Sequence, residues 1–485
     1  AVNVIGAVWS SCSPDFGQAG IVDRFAQIEP KVLFVTDGYS YNGKSYDTTT
    51  AAVELGAALP SVKDVVLISN INSDTKPERV TSWEDILHLP NFGIAFEAVP
   101  FDHPIWILYS SGTTGKPKAI THSVGGCLLE HLKILSIHQN VKPGDRYFWY
   151  STTGWMMWNF AIGSMLSGST LVLYDGSPFY PTSQVLWTLA ERAKINHFGG
   201  GAAYFIACMK AGTIIPSDRL SHLETIGSTG SPLPPEVYEW IYQNVKKEVQ
   251  LISLSGGTDI CSAFVAGNPL EPVYAGEIQC RALGAKVEAF DENGNTVVDQ
   301  LGEMVITQPM PSMPVYFWND QDNERYQSSY FETYPNIWRH GDWIKITSRG
   351  SVIIYGRSDA TLNRGGVRIG TSEVYRAVES IPDIKDSLVV YLEKEDGGGF
   401  MPLFVVLEEN KKLTEALKAQ IKEVLRTQYS PRHVPDTIEA VAAIPYTING
   451  KKMEAPIKKI LMGMDPAKAV SRDTMRNPEA LDGFV

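Results

Sequence analysis

What is scarce in this sequence narrows its chemistry before any motif is read. No apolar run approaches the ~20 residues that a membrane-spanning helix needs. Basic charge is not in excess. The chain has 42 Lys and Arg against 54 Asp and Glu, a net charge of -12 and a pI near 5.3. That balance counts against nucleic acid or an anionic membrane as the main partner and leaves small molecules. Only five cysteines occur, Cys12, Cys127, Cys208, Cys261 and Cys280, widely spaced and without a Cys-x-x-Cys pair. This disfavours a disulfide framework or a zinc site and points to buried free thiols in a reducing, cytosolic compartment. There is no initiator Met and no leader-like segment. Ala1–Trp9 reads as the end of a helix running into a strand, so the chain is expected to begin inside a domain of a longer protein.

What is present is an ordinary globular composition, 44% hydrophobic and 20% charged over 485 residues. Short apolar segments at 32–35, 65–68 and 105–109 alternate with helix-like stretches such as 50–58. The rhythm continues through 171–173, 225–226 and 251–252. Strands alternating with helices predict an α/β layer structure with a mostly parallel sheet. From about 284 the pattern changes to short strands and turns. Asp291-Glu-Asn-Gly294 is expected to link 286–290 and 296–298 in a hairpin, and further strands run over 343–355. Beyond 357 the pattern changes again. A helix at 373–380, strands at 387–392 and 403–407, a loop at 394–400 and an amphipathic helix at 413–429 predict a small α+β lobe. The expected division is 1–357 and 358–485.

The strongest local signal is Tyr109-Ser-Ser-Gly-Thr-Thr-Gly-Lys-Pro-Lys118. Gly112 and Gly115 let backbone approach an anion closely. Ser110, Ser111, Thr113 and Thr114 supply hydroxyls, and Lys116 and Lys118 supply positive charge, a set suited to a polyphosphate. It is not a Walker A loop, because Pro117 rather than Ser or Thr follows Lys116. A plain Gly/Ser/Thr surface loop is the bland alternative. The segment, with its continuation Ala-Ile-Thr-His122, resembles the phosphate loop of adenylate-forming acyl-CoA synthetases.

Further motifs follow in that family's order, over essentially the whole chain. Gly227–Glu236 resembles the adenine-side loop, with Gly230, Ser231 and Pro232; on its own it reads as a turn before a helix capped by two prolines. Ser255-Gly256-Gly257-Thr258-Asp259 stands where the family has Gly-x-Thr-Glu. The resemblance implies that Thr258 faces the phosphates and that Asp259, in place of the usual Glu, binds Mg²⁺. Trp338–Trp343 resembles the motif whose Asp, here Asp342, binds the ribose. Ile354–Asp359 implies a nucleotide contact by Arg357 and a hinge at Asp359. Asn363–Glu373 implies Arg368 on phosphate and Gly365 and Gly366 beside the pantetheine of coenzyme A. Tyr446–Lys452 matches the closing motif and places Lys451 on the catalytic lysine, with Lys452 as the competing assignment.

The resemblance therefore implies two half-reactions with ATP, Mg²⁺ and coenzyme A. A carboxylate attacks the α-phosphate to give an acyl-adenylate and pyrophosphate, and the CoA thiol then displaces AMP. Lys451, Lys118 and Asp359 are the residues implied to carry this cycle. The acyl pocket is expected from Trp155, Met156, Met157, Thr229 and Gly256. Acetyl-CoA synthetases have a Trp-Trp pair in the stretch where this chain has Ser255-Gly256-Gly257. Loss of an indole is expected to open on the order of a hundred cubic ångströms, enough for acetoacetate as the acid. Other short-chain acids and a non-catalytic nucleotide-binding homologue are the competing readings.

Overall fold

The computed structural model describes residues 2–14, 16, 18–71, 77–90, 93–110, 117–230, 232–358, 362–364, 367–369, 371–393, 399–446, 452–470, 475 and 477–484. The chain forms two compact units. One comprises Ala1–Pro14, Ile21–Tyr109 and Lys118–Gly356, and the other Asp15–Gly20, Ser110–Pro117 and Arg357–Val485.

At the centre of the larger unit is a five-stranded sheet. Its order is Thr170–Leu171, Arg146–Trp149, His197–Gly201, Thr225–Thr229 and Gln250–Ser253, all parallel. Parallel strands need both faces covered, and side-chain alternation divides their residues between two cores. Tyr147, Trp149 and Ile252 enter one; Phe148, Phe198, Ile226 and Leu251 enter the other.

One lateral row of this sheet reads Trp149, Gly199, Gly227, Ile252. The Trp149 indole lies across both glycines. A Cβ at Gly199 would sit 2.0 Å from its Cε3, and one at Gly227 would sit 2.5 Å from its Cζ3. Neither position has room for any other residue while the indole is there.

A second sheet orders Trp9–Ser10, Pro104–Ser110, Lys118–Ser123 and Tyr316–Phe317. A third, of Val287–Phe290, Leu301–Ile306, Trp338–Ile346 and Val352–Arg357, forms the β-rich part; Leu301–Ile306 pairs antiparallel with both of its neighbours. The expected hairpin forms, but is short. Asp291–Gly294 is indeed a turn, but Thr296 makes only a single bridge to Phe290. The lasting partner of Val287–Phe290 is Leu301–Ile306, whose residues from Gly302 onward are buried. The nearer run adds one further bond, Val297 N–H to the Ala289 carbonyl at 2.9 Å, so Val287–Phe290 is held by both runs.

In the smaller unit, Ile384–Val389, Pro402–Leu407 and Thr437–Ala440 form a sheet. The helix Glu415–Gln428 buries Leu417, Ile421 and Leu425 at helical spacing. Two strand assignments shift. The strand expected at 387–392 is Ile384–Val389, and Gly399–Phe400, expected in a loop, pairs as a short strand with Leu392–Glu393. Among the described residues, no helix is long and apolar enough to cross a membrane. All five cysteines are free, with Cys127, Cys208 and Cys261 buried.

Candidate active site

Ser110 closes one strand and Lys118 opens its hydrogen-bonded neighbour. The glycine- and hydroxyl-rich segment thus connects two adjacent strands. Ser111, Gly112, Thr113, Thr114, Gly115 and Lys116 lie outside the described residues, as do Ser231, Asp359, Gly365, Gly366 and Lys451.

The Lys118 ammonium lies 5.5 Å from the ring centre of Phe317 and 5.6 Å from that of Tyr330. A cation over aromatic faces is attracted by their quadrupoles. The same Tyr330 donates its hydroxyl to Asp259 Oδ1 at 2.6 Å and stacks on Trp338 at 3.5 Å between ring centres. Asp259 is buried. Its backbone carbonyl lies 3.1 Å from His122 Nε2. Burial holds His122 below its ordinary pKa, so it is neutral near pH 7. Lys118, Tyr330, Asp259 and His122 thus form one neighbourhood around the Thr258-Asp259 motif. Sequence reasoning missed Tyr330, which stands 71 residues from Asp259 and in no recognisable motif.

A lone carboxylate beside a triphosphate suits Mg²⁺. This ion keeps several waters and takes one or two carboxylates plus phosphate oxygens. Among the described residues, no group of three or more His, Cys, Asp and Glu gathers to form a closed metal cage. The donor set at Asp259 fits an ion shared with a nucleotide.

Asp342 lies within the strand Trp338–Ile346 and is buried, with Oδ2 3.5 Å from His340 Nε2. Gly230 turns with φ +92 directly after the strand Thr225–Thr229, and Pro232 is exposed. Arg357 ends the strand Val352–Arg357, and Arg368 is opposite Asn363 in a two-stranded ladder. The side chains of both arginines lie outside the described residues.

Around the expected acyl pocket, Met156 and Met157 open the helix Met156–Gly163 and are buried in the same core as Trp149, with Trp155 packed against it. Thr229 donates its hydroxyl to the Leu254 carbonyl at 2.8 Å, so that hydroxyl is already engaged. Gly256 corrects the expected origin of the space. It pairs with Ala263 at a bulge. A Cβ added there would meet the Ser262 carbonyl oxygen at 2.0 Å and Ala263 Cα at 2.7 Å. The room an indole would need is occupied by the backbone of the next strand.

A family model described as AMP-binding enzyme matches residues 1–317, and one described as AMP-binding enzyme C-terminal domain matches 373–451. The acetoacetyl-coenzyme A synthetase of Rhizobium meliloti (strain 1021) is 45% identical, over 99% of this chain and 74% of that protein. The chain belongs to the acetoacetyl-CoA synthetase family of AMP-binding enzymes. The Gallus gallus acetoacetyl-CoA synthetase is 43% identical, over 99% of this chain and 73% of that protein. The solved acetoacetyl-CoA synthetase from Streptomyces lividans matches with a TM-score of 0.73 and 47% identity. That match spans 99% of this chain and 74% of the solved one. The two-domain α/β architecture of AMP-binding enzymes is thus the fold of this family member.

Proposed function

We infer that this protein ligates acetoacetate to coenzyme A at the expense of ATP. An acetoacetyl-adenylate forms with release of pyrophosphate, and CoA then converts it to acetoacetyl-CoA and AMP. The observation that carries this reading is the 45% identity to an acetoacetyl-CoA synthetase over 99% of the chain. The Lys118–Tyr330–Asp259 neighbourhood supports it with chemistry suited to phosphate.

In the first half-reaction the residues Ser110–Lys118, with Thr258, cradle the triphosphate. Asp342 grips the ribose, and Gly230, Ser231 and Pro232 border the adenine. Asp259 would hold Mg²⁺, which would supply charge neutralisation to the phosphates. Lys451 stabilises negative charge as the acetoacetate carboxylate attacks the α-phosphorus, an electrostatic role needing little proton transfer. Arg357 and Arg368 add charge toward the nucleotide. In the second half-reaction Gly365 and Gly366 admit the thiol, with Asp359 as the hinge between the two uses of the smaller unit. Trp155, Met156, Met157 and Thr229 wall the acid. A cytosolic site of action completes the reading, favoured by five free thiols.

A substrate panel tests it. With ATP and CoA, acetoacetate is expected to give a kcat/KM at least about tenfold above acetate, propionate or butyrate, a factor worth about 1.4 kcal/mol. Equal or better turnover of acetate or propionate overturns the acid assignment. Failure of every acid to support ATP–pyrophosphate exchange overturns the enzyme assignment.

A further inference from the structure

The segment 447–451 carries Lys451, and the residues on either side of it are unusually well tied. Tyr446 and Lys452 face one another across an antiparallel backbone bridge. Met453 N–H donates to the Pro445 carbonyl at 3.1 Å. The Lys452 side chain is only 14% exposed and lies 2.6 Å from Glu379 Oε1 and 2.8 Å from Asp386 Oδ1. It also donates to the Ser387 carbonyl at 2.6 Å and lies 3.8 Å over the centre of the Tyr375 ring. Of the ammonium's three protons, Glu379 and the Ser387 carbonyl accept two, and Asp386 adds an ion pair.

The Tyr446 hydroxyl donates to the same Asp386 carboxylate, at 2.9 Å to Oδ2 and 3.1 Å to Oδ1. Burial, and then the Asp386 charge, raise the Tyr446 phenol above its ordinary pKa, so it stays a donor. The two ends of the segment therefore meet on one carboxylate. That carboxylate is set by the strand Ile384–Val389, and the second anion, Glu379, ends the helix Thr371–Glu379.

We propose that Lys452 is a positioning residue for adenylation: locked between Glu379 and Asp386 with Tyr446, it pins both ends of 447–451 and so fixes where Lys451 is delivered. The assignment rests on the reading of Lys451 given above. It also separates the two adjacent lysines by chemistry. Lys452 is held by acceptors inside its own unit, which leaves the phosphate role to Lys451. The anchor is ionic, partly buried and held to rigid elements, so loosening it displaces the segment without removing the lysine the segment carries.

The test measures the half-reactions separately: acetoacetate-dependent ATP–pyrophosphate exchange, and thioester formation from supplied acetoacetyl-adenylate and CoA. Lys452→Met removes the charge. Tyr446→Phe removes one hydroxyl and keeps the ring, so it remains informative if Lys452→Met folds poorly. Both are expected to lower the kcat of exchange by about 10–100-fold, with the KM for ATP and the thioester step within about twofold. Lys452→Arg is expected to recover part of the exchange rate. Lys451→Ala serves as reference. If it abolishes exchange while Lys452→Met and Tyr446→Phe leave exchange intact, the positioning role is overturned and the reading of Lys451 stands. If Lys451→Ala itself leaves exchange intact, both fall. Parallel loss of the two half-reactions, in step with a lowered Tm, shows a merely structural anchor and also overturns the proposal.

Discussion

At the residue scale, the contact with the largest consequence is the Tyr330 hydroxyl on Asp259. A hydrogen bond to a charged group contributes roughly 1.5–3 kcal/mol, and this one also aims the carboxylate. Tyr330→Phe keeps the stacking on Trp338 and removes this one hold on Asp259 Oδ1. The expected outcome is a stability loss of about 1–3 kcal/mol, a lower rate of pyrophosphate exchange and a higher Mg²⁺ requirement. A magnesium titration of that rate, beside a urea denaturation curve, checks it; an unchanged magnesium dependence removes the aiming role. The sequence announced Asp259 because it sits in a compact motif beside Thr258. It could not announce Tyr330, whose partner is chosen by a strand pairing and an aromatic stack far away in the chain. Gly256 shows the opposite failure. Its place in a motif was legible, but the reason for a glycine was not, because the neighbouring strand's carbonyl is visible only once the bulge is formed.

At the scale of elements, local chemistry and core burial each decide part of the outcome. The helix Glu415–Gln428 starts where the Thr414 hydroxyl accepts from Leu417 N–H at 3.2 Å. Thr414→Ala removes that cap and is expected to cost about 0.5–2 kcal/mol, read as a lower denaturant midpoint at unchanged slope. A smaller effect than this means solvent replaces the cap at no penalty. The helix was legible because its period is long and regular. The parallel character of the sheet was legible from the alternation of strands with helices, but its strand His197–Gly201, three of whose five residues are glycine, was not. The pairing of Val287–Phe290 with Leu301–Ile306 was not, because a turn signal ranks nearby partners and takes no account of which partner reaches the core. The short strand Gly399–Phe400 was hidden by the run of three glycines, two before it and one within it, which read as loop whatever they are paired with.

For the molecule as a whole, pH acts through histidines that burial keeps neutral. Desolvation is the leading cause of a lowered pKa at His122, His138 and His197, against an ordinary value of 6.5. The unfolded chain takes up these protons first as pH falls. Stability is therefore fully present above about pH 6.5 and declines as pH drops from there toward the lower folded values. A Tm series from pH 7.5 to 5 is expected to fall below that point, and His138→Gln is expected to flatten part of the slope. A profile that is level down to pH 5 would show the three sites accepting protons while folded. The overall α/β plan and the adenylate-forming character were readable from motif order, since phosphate binding needs fixed residue types at fixed spacings. The tying of Tyr446 and Lys452 to Asp386 was not, because a lysine in a basic pair looks the same on paper whether it faces solvent or a carboxylate.

The Trp149 indole spread across Gly199 and Gly227 binds three strands into one design decision. Variation that changes these positions one at a time meets either a collision or a void. Remodelling this floor is a combinatorial step, in which a smaller ring and at least one added methyl must arrive together. Libraries that vary the three codons jointly will reach shapes that single-site scanning, however complete, passes over.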